Sequence, residues 1–217
     1  LVPFLGTTIL EQQINTLKQC QVEDIHIVTG YCSDQIMAFG FPITKNLHFA
    51  STNMVESLFS AVSFIEQEGD LIVAYGDIVY QPNNLQALMA VDADIVLMID
   101  EDWRKLWDLR FSNPLDDAET LVLDDRGYVI ELGKKTNGYQ RIQGQYTGLI
   151  KVRSDKITNF VKFYQSLDRS RIYDGGAFNN MYMTLFLQLL IDAGWRVKAA
   201  IVQNGWLEID TIEDIEL

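Results

Sequence analysis

The chain has 217 residues, 48% of them hydrophobic and 22% charged, which is ordinary for a globular protein and enough for one large domain with its own core. Thirty acidic residues against seventeen basic ones leave a formal charge of −13, a field that repels a phosphate backbone and argues against nucleic acid as a partner. No apolar run reaches the length of a membrane span and no signal peptide opens the sequence, so a cytoplasmic protein without a membrane partner is expected.

Residues 1–5 are apolar, contain Pro3 and close at Gly6. Thr7 or Thr8 then caps a helix whose Ile9, Leu10, Ile14 and Leu17 recur at helical spacing. Residues 24–29 read as a short strand ending at Gly30-Tyr31, Ser33 and Asp34 start a brief helical turn, and residues 47–50 read as another small strand. His26 and His48 fall in buried-strand patterns and read as packing residues. Cys20 and Cys32 have neither a CxxC partner nor a nearby histidine, which argues for reduced thiols and against zinc. Thr52-Asn53 precede a helix with Val55, Leu58, Phe59, Val62 and Ile65 on one face.

Leu71–Ala74 is a short unbroken apolar run, which reads as a strand buried on both faces inside a mainly parallel sheet. Gly76 permits a sharp turn after it, and Asp77 places a carboxylate at the strand's carboxyl end, where open α/β sheets bind ligands; a plain helix cap is the alternative role. A helix over 84–90 and a strand over 94–99 follow. Such alternation predicts an α/β fold with a Rossmann-like, mostly parallel sheet, helices on both faces and right-handed crossovers.

The pattern changes after Asp100. Residues 102–110 are rich in Trp and Arg, Asn113-Pro114 is a turn, and the runs 120–123 and 128–132 flank Asp124-Asp125-Arg126-Gly127, a hairpin signal. A longer strand over 142–152 is interrupted by Gly144 and Gly148. Residues 102–152 are expected to form a small β insertion on the acceptor side of a single domain spanning 1–217. Helical spacing returns over 155–167, and a loop over 168–176 carries Arg169, Arg171 and Gly175-Gly176. An apolar helix over 181–193 stops at Gly194. Val197–Val202 reads as a strand leading into Gly205-Trp206-Leu207-Glu208-Ile209-Asp210, after which Thr211 caps a closing helix with Glu213 and Asp214 in its first turn.

Two acidic sites stand out: Asp77, and Asp210 with Glu208 on the same side of an extended segment. Carboxylates without useful histidines or cysteines suit a hard cation such as Mg²⁺, the expected device for handling phosphates in an acidic protein. Solvated loop and capping roles stay open for Glu208 and Asp210.

Several segments occur in a recognisable order: Leu1-Val2-Pro3 with the Gly6 turn, Thr52-Asn53 with Ser57-Leu58, Tyr75-Gly76-Asp77, Gly133-Lys134-Lys135, Tyr146-Thr147-Gly148-Leu149 and Trp206-Leu207-Glu208-Ile209-Asp210. Over nearly its whole length the chain thereby resembles the GT-A-like nucleotidyltransferases that activate small phosphorylated compounds. It is most similar to the branch that includes phosphocholine and aminoethylphosphonate cytidylyltransferases, with hexose-1-phosphate enzymes more distant. The resemblance implies transfer of CMP from CTP to a phosphocholine-like or phosphorylated amino compound with release of pyrophosphate. It implies that Asp77 and Asp210 hold Mg²⁺, and that Lys135, with Lys134 as second candidate, binds the acceptor phosphate. Asn53 and Ser57 would lie near the base and ribose, with Gly76 on the same nucleotide side.

For the acceptor, Trp103, Trp107, Tyr146, Tyr182 and Trp206 are candidates for a partial aromatic box helped by Glu208, or for core packing. Arg104, Arg110 and Lys134 point to an acceptor with an extra carboxylate or polar end. Open alternatives are a sugar-1-phosphate nucleotidylyltransferase using another nucleoside triphosphate, and a non-catalytic nucleotide-binding relative. The family suggests a capsule, lipid or surface-glycan precursor pathway, and a homodimer is left open. In the family a strand and a Gly-rich loop precede the Leu-Val-Pro segment. The sequence starts at Leu1, and the expectation is that this element belongs to the complete protein, because its loss would leave sheet edges uncovered.

Overall fold

The computed structural model describes residues 1–211 and 213–215. Helix α1 (Ile9–Gln19) opens with a capping box: Glu11 N–H donates to the Thr8 hydroxyl at 3.2 Å, and Thr8 N–H to the Glu11 carboxylate at 2.9 Å. Strands β1 (Ile27–Thr29) and β2 (Ile43–Lys45) pair in parallel as a small separate ladder. The expected strand over 47–50 is therefore displaced, for Phe49–Ser51 is a 3₁₀ turn and His48 is exposed rather than packed. His26 stacks on Phe64 and bonds to Thr44 at 2.8 Å. The helix expected over 54–65 is broken at Ala61 into α2 (Met54–Ser60) and a short turn, Val62–Ile65.

Next come β3 (Leu71–Ala74), β4 (Ile78–Tyr80), α3 (Pro82–Ala90), β5 (Ile95–Asp100) and α4 (Arg104–Arg110). A hairpin, β6 (Glu119–Leu123) with β7 (Val129–Lys135), precedes β8 (Gln145–Val152), α5 (Ile157–Ser166), α6 (Met183–Asp192), β9 (Val197–Val202) and β10 (Trp206–Glu208). The central sheet runs β9-β5-β8-β3; β9 is parallel to β5, and β8 lies antiparallel between β5 and β3. Three strands thus share a direction and the fourth reverses it, which makes the sheet mixed. Of the segment 102–152, α4, the hairpin and the 3₁₀ turns Pro114–Asp116 and Tyr139–Arg141 stand outside the sheet, whereas β8 is one of its inner strands.

The period of two along β5 divides the core. Ile95, Leu97 and Ile99 point to one face, where Phe160 and Phe186 pack on them from α5 and α6. Val96 and Met98 point to the other, against Leu85 and Leu88 of α3. All five of these β5 side chains are sealed from solvent, each contributing about 1.5–3 kcal/mol. β3 differs from its expectation of burial on both sides: only Leu71 is fully buried. The reason is positional. β3 is the edge of the sheet, and its free side opens on a largely apolar groove of about 820 Å³ whose opposite wall includes Ile25, Ile27 and Val28.

Two features bring the outer pieces over the strand ends. Gly148 takes φ +81° where the β8–β5 register shifts, and Tyr75 packs so closely there that a Cβ would sit 2.8 Å from its ring. The hairpin is laid on α6, with Leu132 N–H donating to Gln188 Oε1 at 2.8 Å. At the carboxyl end, β10 pairs antiparallel with β4. The closing turn Glu213–Ile215 follows Thr211, whose hydroxyl accepts from Asp214 N–H at 3.3 Å; the rest of the expected closing helix lies outside the described residues.

Candidate active site

Pairing of β10 with β4 fixes the acidic centre. Glu208 lies opposite Ile78, and Ile209 N–H donates to the Asp77 carbonyl at 2.9 Å, so Asp77 and Asp210 leave the ladder at the same end. Burial holds the Asp77 carboxyl above the usual carboxylate range, and the charge of Asp210 adds to the effect. Its Oδ1 is buried without a hydrogen-bond partner among the described residues. Burial, reinforced by the charges of Asp210 and Asp77, pushes Glu208 up to about 7.

One cation answers this cluster. The Arg110 side chain is only 3% exposed and reaches from α4 to donate to Glu208 at 3.1 Å, Asp210 at 2.8 Å and Asp214 at 2.9 Å. Burial disfavours its charge, but the three carboxylates outweigh burial and hold its pKa above the ordinary value. The guanidinium expected to meet a polar acceptor is therefore committed within the protein.

Beside the cluster lies a cavity of about 280 Å³. Six residues singled out from sequence meet on its walls: Trp107, Lys135, Tyr146, Tyr182, Glu208 and Asp210. Lys135 Nζ has one acceptor, the Asp117 carbonyl at 3.1 Å. The Tyr146 hydroxyl is buried and has no partner among the described residues, and its ring stands edge-on to Tyr75. Tyr182 is largely exposed at the rim. Asp117, Glu119 and Thr184 also line the cavity, and none of them was named from sequence. The hairpin was the available signal for Glu119, because its register sets Glu119 opposite Lys135.

Other candidates stand elsewhere. Trp206 is a buried core residue whose indole N–H donates to Asp100 at 2.9 Å, so it does not wall the cavity. Trp103 is buried against Trp107, which touches the cavity but directs its N–H to Asp117 at 3.0 Å. Arg104 lies on the surface, paired with Asp108 and stacked over Tyr139, and Lys134 points to Glu131. Asn53 caps α2, its side-chain oxygen accepting from Met54 N–H at 2.7 Å. Ser57, Gly76 and Asp77 line the large groove along β3, with the Ser57 hydroxyl accepting from Asn46 at 3.0 Å. Gly76 does not take positive φ, so the turn there needs no left-handed residue.

Solved structures share this architecture. The inositol-1-phosphate CTP transferase from T. maritima superposes with a TM-score of 0.74 at 16% identity, covering 98% of this chain and 80% of that one. The CTP:phosphocholine cytidylyltransferase from Streptococcus pneumoniae gives 0.70 at 19% identity, covering 100% and 86%. The fold is that of the GT-A-like nucleotidyltransferases. In sequence, residues 1–132 match the MobA-like NTP transferase domain. The CTP:phosphoglutamine cytidylyltransferase of Campylobacter jejuni subsp. jejuni is 39% identical over 226 residues, covering 100% of this chain and 89% of that protein. The chain belongs to the MobA-like NTP transferase family, and is a nucleotidyltransferase. No helix among the described residues is long and apolar enough to cross a membrane.

Proposed function

We propose that the protein transfers CMP from CTP to a small phosphorylated acceptor of the amino-acid type, releasing pyrophosphate. The observation that carries the reading is the 280 Å³ cavity, which sets one lysine, Lys135, beside the carboxylates of Glu208 and Asp210 at the strand ends. The relative that acts, by its name, on phosphoglutamine supports an acceptor of this size and charge.

The chemistry needs little from the protein beyond placement. An acceptor phosphate is already an anionic nucleophile, so no general base is required. Its oxygen attacks the α-phosphorus of CTP in line, the new O–P bond forms, and the bond to the pyrophosphate oxygen breaks. Lys135 holds the acceptor phosphate against the repulsion of the acidic walls, and Tyr146, its hydroxyl still free of a partner, faces the same space. Ser57 and Gly76, which line the same groove as Asp77, face the nucleotide, while the Asn53 side chain serves α2.

The residues fit a magnesium ion. Asp77 carries an orphaned buried oxygen and leaves the ladder at the same end as Asp210, and carboxylate oxygens suit a hard cation completed by phosphate and water oxygens. Asp77 and Asp210 would hold it; when bound it neutralises charge between the phosphates. A pyrophosphate-release assay crossing CTP, UTP, GTP and dTTP with phosphoglutamine, phosphocholine and glucose 1-phosphate tests the proposal. CTP with phosphoglutamine is the expected productive pair, and turnover confined to sugar 1-phosphates overturns it.

A further inference from the structure

The cavity wall holds a carboxylate with no hydrogen bond or ion pair among the described residues. Asp117 accepts the Trp107 indole N–H, and Glu208 and Asp210 share Arg110. Glu119 is different. Its backbone is pinned, with its N–H donating to Gln145 Oε1 at 3.3 Å and its carbonyl accepting from Gln145 Nε2 at 2.7 Å. Its carboxylate has no hydrogen bond and no ion pair among the described residues, although Lys135 is its register partner across the hairpin. Lys135 turns instead to the Asp117 carbonyl. Burial raises the Glu119 carboxyl above its usual range, with the Lys135 charge opposing.

Glu119 is also fixed in place. Gly133, at φ +78°, approaches α6 so closely that a Cβ there would meet Thr184 Cβ at 2.5 Å and Glu119 Oε2 at 3.5 Å. The carboxylate thus sits against the first turn of α6, in the same cavity that takes the acceptor. A half-buried anion without a partner is costly unless a ligand supplies the opposite charge. A partnerless buried hydroxyl, that of Tyr146, lines the same space and independently marks room for a polar ligand.

We propose that Glu119 recognises an ammonium group on the acceptor, so that the cavity selects zwitterionic phosphorylated compounds over neutral-bodied ones such as sugar phosphates. The inference rests on the cytidylyl-transfer reading. Lys135 takes the phosphate end, Glu119 the ammonium end, and the two stand opposite each other on the hairpin.

The test measures kcat/KM with CTP and Mg²⁺ for phosphoglutamine and for its Nα-acetyl derivative, in wild type, Glu119→Gln and Glu119→Asp. Wild type is expected to prefer the free amine. Glu119→Gln is expected to shrink that preference by about 10- to 100-fold, the worth of a charge-assisted hydrogen bond, and Glu119→Asp to keep part of it. Equal losses for both acceptors, the mark of a merely structural role, overturn the proposal, as does an unchanged preference. Turnover of CTP with sugar 1-phosphates but with neither phosphoglutamine form keeps cytidylyl transfer itself, overturns the amino-acid-type acceptor and removes Glu119. If no nucleotide–acceptor pair reacts, the transfer reading fails. Calorimetric titration of both phosphoglutamine forms then decides for Glu119: weakened binding of the free amine alone to Glu119→Gln supports it, and equal binding overturns it.

Discussion

Lys135 and Glu208 show how differently two charges behave within one site. Lys135 meets a single backbone carbonyl, so removing it breaks little in the free protein. Lys135→Met should therefore act on substrate rather than on folding, lowering kcat/KM for the varied acceptor by about 10- to 100-fold, as expected when one charge-assisted hydrogen bond is lost. Steady-state kinetics with the acceptor varied at saturating CTP measure this. Glu208 does the reverse. Its folded pKa of about 7 lies above the ordinary glutamate value of 4.5, so between these pH values the folded state binds the extra proton. Its favourable contribution is present below pH 4.5 and lost as pH rises through 7, a loss of up to about 3 kcal/mol. In metal-free buffer, urea unfolding should show wild type falling relative to Glu208→Gln from pH 4.5 to 8, and parallel curves would refute the assignment.

At the scale of elements, the site is held by two devices outside the acidic motif. Arg110 ties α4 to the segment from Glu208 to Asp214 with a side chain that is almost fully enclosed. Arg110→Met leaves three carboxylates facing one another, and a loss of about 3 kcal/mol in urea unfolding is expected, the lower end for a broken buried pair because Asp210 is half exposed. Gly148 keeps β8 in register beside Tyr75. Gly148→Ala combines a positive-φ penalty of about 1–2 kcal/mol with a Cβ 2.8 Å from the Tyr75 ring, so it should destabilise the fold by more than that penalty alone. The same urea titration reads it.

What the sequence made legible follows the range of the forces involved. The threonine cap of the first helix, which falls on Thr8, the hairpin at Gly127 and the strand Val197–Val202 rest on neighbours in the chain, and the structure has them where local chemistry puts them. The displaced strand near residue 47 and the half-exposed β3 depend on which distant segment lies alongside, information no local pattern carries. In the site, Lys135, Tyr146 and Glu208 stood in the ordered family motifs and Tyr182 among the aromatic candidates, and all four line one cavity. Trp206 misled because a tryptophan inside such a motif packs equally well into the core, where its N–H meets Asp100. Arg110 read as a free cation because its three carboxylates come from some hundred residues further along.

For the whole molecule, a formal charge of −13 sets the central problem, since both proposed substrates are anions. The cavity offers Lys135, while Arg110 is occupied by carboxylates that would otherwise repel the phosphates. In the proposed reaction a divalent cation from solution would add positive charge, and the orphaned Oδ1 of Asp77 is the atom we propose receives it. Removing divalent ions with a chelator should abolish pyrophosphate release, and Mg²⁺ should restore it. Asp77→Asn sharpens the point, because it keeps the side chain's shape and removes its charge. The folded pKa of Asp77 is raised mainly by burial, so its ionised form opposes folding at neutral pH. The variant should be at least as stable as wild type in urea, yet its kcat should fall on the order of 10²- to 10³-fold, the scale for losing one preorganised electrostatic contact. Stability rising while turnover falls is the signature of a charge kept for function at a cost to the fold. A variant that retains kcat removes Asp77 from the metal site, and one that unfolds shows its carboxylate to be structural.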